Sequence, residues 1–585
     1  MADGSATSIF GKIKYAYMNK FLSTLLILLT LTVVSFAQTA KEDVPKSWHM
    51  MDKSATGYYG VSADKAYEFL KSKNLKSNTV IVAVIDSGID TLHEDLKPIL
   101  WTNPKEIPGN GIDDDGNGYI DDIHGWNFLG GKDGRSVKVD SDEGARVYYG
   151  LKAKWDNREV DRSKLSKQEA YEYEMFLKAK ARMTTDDSKE NEALSVDLES
   201  LKDLYNTLVK SDSVLRIAMG RDTFTGNDLD KYVTKSFAER KAKNDFLGLM
   251  KANNLMDQSS KELISGLNEY VEYVEGEQRK AEAKTKAPAE YRKDIVGDDE
   301  SNFNARGYGN NDVMSVTPMH GTHCSGIIGA VRNNGKGMDG IADNVRIMML
   351  RAVPDGDEHD KDIALAIRYA VDNGAKIINM SFGKSFSPQK QWVDEAFAYA
   401  ESKNVLLVHA AGNDSKNVDS TDNFPNPDYL NGGRAGNVLT VGASGDPKTG
   451  GLTAYFSNYG KKGVDVFAPG VKMYSTLPGG TNYGNLQGTS FAGPLVAGIA
   501  ALTLEYFPHL SAKQLKYVIE KSAQRPEYKA TKPGTDETVE FSELCHTGGI
   551  ANAYEAVKLA STLKAETKNE KEVLPKPKMK KSKKG

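Results

Sequence analysis

Cysteine is nearly absent from this chain of 585 residues: there are two, Cys324 and Cys545. Two are too few for a disulfide scaffold, and a chain of this length does not need one. A dominant charge is missing as well. Seventy-six basic residues stand against 80 acidic ones, for a net charge of -4, which gives no reason to expect nucleic acid as a partner. Long apolar runs are lacking except for FLSTLLILLTLTVV at 21–34, which follows Met18-Asn19-Lys20 and precedes Ser35-Phe36-Ala37. That run is short for a membrane span, and its basic lead and small-x-small exit are those of a signal peptide ending near Ala37. No cysteine sits there to carry a lipid. The expectation is an exported chain, periplasmic or extracellular, with no integral span in its mature form.

Proline is absent from most of 140–296, a stretch dominated by Lys, Glu, Asp and Ala. Its apolar stripes are thin, and it reads as several charged helices, for instance 163–183 and 227–252. The flanking regions have another rhythm. NTVIVAVID (78–86), VRIMMLRAV (345–353), AKIINMS (375–381), NVLLVHAAGN (404–413), NVLTVGA (437–443) and VDVFAPG (464–470) are buried-strand patterns. Helical patterns at 360–373 and 388–402 lie between them. This alternation predicts an α/β fold, a mostly parallel central sheet with helices on both faces, plus a charged all-α insertion. The expected division is a signal peptide (1–37), a catalytic domain in two parts (38–139 and 297–562), the helical insertion (140–296) and a basic disordered tail (563–585).

Three motifs carry chemistry. VIDSGID places Asp86 at a strand end, where parallel sheets deliver polar groups. MHGTHCSG (319–326) places His320 where a helix opens, and GTSFAGPLVAGIAAL (488–502) places Ser490 at the start of a nearly all-apolar helix. Taken singly these are ordinary features, since a strand-end Asp, a buried His and an N-terminal Ser are common in any fold. Together they resemble the subtilase family of serine peptidases, whose motifs run in the order Asp, His, Ser. The Gly-x-Ser-x-Gly elbow of an esterase-type hydrolase is absent. The resemblance covers roughly 45–130 and 296–560. It implies a subtilisin-like fold with Asp86 as orienting acid, His320 as general base and acid, and Ser490 as nucleophile. HAAGN (409–413) resembles the family's oxyanion segment, which implies Asn413 as a donor. Ser381, Phe382 and Gly383 are implied as the strand that pairs with a peptide substrate. A non-catalytic secreted binding protein on the same scaffold is the rival reading.

His320, His323 and Cys324 do not make a zinc motif, because the further ligands at defined spacing are missing. Cys324 falls one helical turn from His320, and here the chain resembles the thiol-containing subtilases. The loop NGIDDDGNGYIDDIHGWNF (110–128) alternates oxygen ligands and then turns at Gly118. That pattern predicts a structural calcium held by Asp113, Asp115, Asn117 and Asp121, with Asp122 as a further candidate. PDGDEHD (354–360) falls where the opposite substrate-binding strand is expected, and its acidity suggests tolerance of Lys or Arg in the substrate. Two departures from the family stand out: too few residues for the usual propeptide domain after Ala37, and the long insertion. Gating, partner recruitment, folding assistance and plain surface elaboration are all open roles for that insertion.

Overall fold

The computed structural model describes residues 44–185, 188–448 and 450–566, with only the backbone of 188–190. The apolar run at 21–34 and the basic run at 576–585 lie outside the described residues. Seven strands form one parallel sheet in the order β2-β3-β1-β4-β5-β6-β7. They are β1 (Val80–Asp86), β2 (Gly125–Asn127), β3 (Val345–Arg351), β4 (Ile377–Met380), β5 (Leu406–Ala410), β6 (Val438–Ser444) and β7 (Val466–Pro469). An antiparallel hairpin, β8 (Met473–Leu477) and β9 (Asn482–Leu486), follows. A parallel sheet covered on both faces needs strands apolar on both sides, and these are. Val80, Val82 and Val84 of β1 enter one apolar cluster while Ala83 and Ile85 enter another. In β3, Ile347 and Met349 oppose Met348 and Leu350 in the same way.

Nine helices matter for the site: α1 (Glu143–Trp155), α2 (Lys167–Thr184), α3 (Leu198–Met219), α4 (Phe237–Ala252), α5 (Ser260–Ala283), α6 (Met319–Gly329), α7 (Asp360–Asp372), α8 (Lys390–Ser402) and α9 (Thr489–Tyr506). Helices α6 and α9 pack on one sheet face, and α7 and α8 on the other. Helix α9 is buried along almost its whole length, as its apolar sequence demands. Burying each of its large side chains contributes roughly 1.5–3 kcal/mol.

The thin apolar stripes of 140–296 suffice because the helices bury them against each other. Leu201, Leu208 and Leu215 of α3, Phe246 of α4 and Leu263, Leu267, Val271 and Val274 of α5 form a cluster apart from the sheet. Local signals start these helices. Ser259 and Glu262 form a capping box at α5, and Ser236 caps α4 by accepting from Glu239 N. The single helix expected at 227–252 is therefore two, Gly226–Lys231 and α4, with the break at 232–236. Strand β2 was not expected. It has only three residues, too few for a period, and is held by its pairing with β3. Gly125 opens it at φ +125°, and a Cβ there would lie 1.8 Å from Met349 O, so only glycine fits.

Candidate active site

Asp86 ends β1, and His320 lies in the first turn of α6. Nδ1 of His320 is 2.8 Å from Asp86 Oδ1, which also accepts Ser87 N. Such a contact fixes the ring tautomer, with the proton on Nδ1 and the other nitrogen free to act as a base. Burial alone would favour the neutral ring. Burial is the largest single influence, but the contacts with Asp86 and with Cys324 together exceed it and hold the His320 pKa well above its ordinary value. Two features hold this pair in place. Gly321 lets α6 approach β1, since a Cβ there would lie 2.2 Å from Gly88 O. Buried Arg351, at the end of β3, donates to Ser87 O, Asn127 Oδ1 and Val137 O. Arg351 was not singled out from sequence; a charge closing an otherwise apolar strand was its signal.

Cys324 is fully buried one turn from His320. Its sulfur is 3.8 Å from His320 Nδ1 and donates to Ser490 O at 3.4 Å, so it bridges the histidine and the Ser490 main chain. Burial pushes the thiol pKa up, which keeps it protonated at neutral pH. Both cysteines are free. His323 turns away from this site and faces the carbonyls of Met473 and Thr476.

Ser490 is the second residue of α9, where unpaired backbone N–H groups favour negative charge. Phe491 packs against the His320 ring at 5.2 Å. Asn413 follows β5, and its Oδ1 accepts both Thr489 N and Thr489 Oγ1. A backbone N–H can give only to the amide oxygen, so the amide orientation is fixed and Nδ2 is left as a donor. A Cβ placed on Gly488 would lie 3.5 Å from Asn413 Nδ2 and 3.6 Å from Ser490 N. Both nitrogens thus border the space that the missing side chain leaves open.

Ser381 is buried and donates to Ser490 O, so its hydroxyl supports the Ser490 main chain. Phe382 O accepts from His409 Nε2. Gly383 is exposed, and its N–H and C=O have no partner among the described residues. Gly356, in the loop after β3, is likewise exposed. The acidic character of 354–360 is spent internally. Asp355 pairs with Arg279, Asp360 with Lys384, and Glu358 is buried. Little free carboxylate is left to meet a basic substrate residue, because Asp355 and Asp360 are paired with cations and Glu358 is buried.

In the 110–128 loop, carboxylate oxygens of Asp113, Asp115 and Glu106 lie within 4.8 Å of one another. Asp121 is elsewhere: its oxygens accept the N–H groups of Gly109, Asn110 and Gly111. Asn117 accepts Tyr119 N and donates to Asp122, which is itself held by Asn103 and Tyr369. The convergent carboxylates are therefore Asp113 and Asp115 joined by Glu106, with Asn117 beside them through its N–H to both aspartates and Asp121 outside the cluster. Glu106 precedes the alternating run and carried no periodic signal.

Among curated proteins, a thermophilic serine proteinase of Bacillus sp. (strain AK1) is 42% identical over 184 residues, 31% of this chain and 42% of that protein. A cell wall-associated protease of Bacillus subtilis (strain 168) is 33% identical over 229 residues, 39% of this chain and 24% of its own length. The chain thus spans less than half of these two relatives. Thermitase of Thermoactinomyces vulgaris is 38% identical over 208 residues, 35% of this chain and 67% of its own. A solved protease structure from Pseudoalteromonas arctica is 29% identical, covers 43% of this chain and 74% of its own, and has a TM-score of 0.33. The pattern of the subtilase family matches residues 77–543, well over half of the chain and every residue of the site just described. The chain belongs to the subtilase family.

Proposed function

We propose that this protein is a serine endopeptidase that cleaves protein or peptide substrates through an acyl-enzyme on Ser490. One observation carries the reading: His320 Nδ1 sits 2.8 Å from the Asp86 carboxylate, while Asn413 Nδ2 and Ser490 N flank one open spot at the head of α9. In this scheme His320 takes the Ser490 hydroxyl proton as the oxygen attacks the carbonyl, and returns it to the leaving amine. Asp86 orients the ring and stabilises its cation. The negative oxygen of the tetrahedral intermediate takes hydrogen bonds from Asn413 Nδ2 and Ser490 N, in a geometry that water would have to reorganise to match. A water then repeats the sequence on the acyl-enzyme. The substrate backbone pairs with the free edges at Gly383 and Gly356, with Phe382 and Ser381 behind them.

The reading extends to the rest of the chain. The helices of 140–296 form an insertion within a catalytic unit made of 38–139 and 297–562. The apolar run at 21–34 directs export, and no helix among the described residues is long and apolar enough to cross a membrane. The three converging carboxylates suit a hard cation, which would relieve their mutual repulsion. Calcium held by Glu106, Asp113 and Asp115 would stiffen the loop that ends in β2. Its removal with EDTA is expected to lower the melting temperature, and Glu106→Gln is expected to abolish the calcium-dependent part of that shift. A fluorophosphonate probe tests the main proposal. Labelling of the wild type and none of Ser490→Ala is expected; labelling independent of Ser490, or no labelling at all, removes the peptidase reading.

A further inference from the structure

The helical segment grips both edges of the cleft. Lys384, adjacent to Gly383, is buried, and its ammonium donates to Glu143 Oε2 at 2.8 Å and to Glu358 O at 2.7 Å, with Asp360 Oδ1 at 2.9 Å. Glu143 opens α1, and its own N–H donates to Asp357 Oδ2 at 2.8 Å. One turn on, Arg146 donates to the Glu143 carboxylate at 2.8 Å and to the carbonyls of Ser141, Asp357 and Glu358 at 2.6, 2.9 and 3.2 Å. From the far end of the segment, Arg279 of α5 donates to Asp355 O at 3.1 Å. The carbonyls at 355, 357 and 358, on either side of exposed Gly356, are therefore all held by cations. Two of those cations come from the helical segment, and the third comes from the residue next to the other edge.

A loop so fixed cannot swing, because each buried charge that moved would lose its partners. A plain surface elaboration would need none of this. It would neither send a carboxylate and a guanidinium into the base of the cleft nor meet a buried lysine there.

We infer that Glu143 and Arg146 are positioning residues for extended peptides: with Lys384 they set the separation and register of the Gly356 and Gly383 edges between which the substrate backbone lies. This rests on the proposal that those two edges pair with substrate. The helical segment is then required for recognition several residues from the cut, on the acyl side, more than for the bond-breaking step. A peptide long enough to pair with both edges depends on their alignment, whereas an ester of one amino acid reaches neither.

The test compares the full chain with its Glu143→Gln variant on two substrates that share the same reacting residue: a single-residue acyl ester and a tetrapeptide amide. Glutamine keeps the shape and removes the charge. Lys384 retains Asp360 and Arg146 retains Asp140, so no buried cation is stranded. The peptide-to-ester ratio of kcat/KM is expected to fall about 10- to 100-fold, the scale of loss that a misplacement of about an ångström produces. An equal fall on both substrates, or no fall, overturns the inference. If the wild type itself gains nothing from lengthening the peptide from one residue to four, the two-edge reading fails and this inference fails with it. A wild-type gain that survives in Glu143→Gln sinks the positioning role alone. Should Glu143→Gln not accumulate as folded protein, Arg146→Lys carries the same comparison. It keeps the positive charge but cannot serve Ser141, Asp357, Glu358 and Glu143 at once.

Discussion

One absent side chain, more than any present one, shapes the surroundings of Ser490. Gly488 leaves open the space that Asn413 Nδ2 and Ser490 N border. Gly488→Ala would put a methyl group there, on the site proposed for the negatively charged oxygen of the intermediate. The expected outcome is a kcat loss of about 10²–10³, comparable to the loss of one oxyanion donor. Steady-state kinetics on a peptide amide checks it, and a similar rate for the variant would mean that the donors serve another purpose. Asn413 itself was legible in the sequence because it ends a strand pattern. The reason it works was not, since the Thr489 contacts that fix its amide cross 76 positions of chain. Arg351, Glu143 and Arg146 were hidden for the same reason: each acts through partners far away in sequence.

Elements carry the alignment of Asp86 with His320. Helix α6 lies against the end of β1 because Gly321 has no side chain to hold it off. In Gly321→Ala the new methyl would meet Gly88 O and Asp86 Cβ, at the end of β1 and in the backbone just after it. Helix α6 must shift, and the 2.8 Å contact lengthens. A fall of about 10² in kcat/KM is expected, with the fluorophosphonate labelling rate falling in step. Gly248 in α4 is a control of the same chemistry, because a Cβ there meets nothing within 4 Å. Gly248→Ala is expected to stabilise by about 0.5–1 kcal/mol through helix propensity alone, read from denaturant midpoints. These two glycines look alike in sequence; only the packing separates them. The strands of the sheet were legible because being buried on both faces forces continuous apolar runs. The carboxylate loop was half legible. Alternation marked Asp113 and Asp115, whereas Glu106, whose carboxylate converges on theirs, arrives from outside the pattern.

Across the whole molecule, the pH range that frees the catalytic base is the one that loosens the fold. His320 must lose its proton to act, and its raised pKa delays that loss, so kcat/KM is expected to climb with an apparent pKa above 6.5. The same shift stabilises the fold fully below about 6.5 and is lost as pH rises through the folded value. Two buried acids push the same way. Burial raises Glu358 to about 8 and Glu505 to about 10, so each costs stability progressively as pH rises from about 4.5. Three buried histidines act oppositely. Burial lowers His49 and His409 to about 4 and His323 to about 3, so their cost grows as pH falls from about 6.5. Between about 4.5 and 6.5 the three histidines outweigh the two acids. Below about 4.5 the acids are protonated in both states, and nothing opposes the histidines. Asp52 and Asp140, held at about 2, add to that loss. The melting temperature is therefore expected to peak near about pH 6.5, to fall gently toward about pH 4.5 and steeply below it, and to decline steadily above the peak. Glu505 tests the alkaline side, because its Oε2 is buried without a hydrogen-bond partner among the described residues. Glu505→Gln removes the ionisable group and is expected to gain about 1–3 kcal/mol at pH 8, and progressively less toward pH 4.5. A gain of the same size at both pH values would mean that packing, and not proton linkage, sets the alkaline decline.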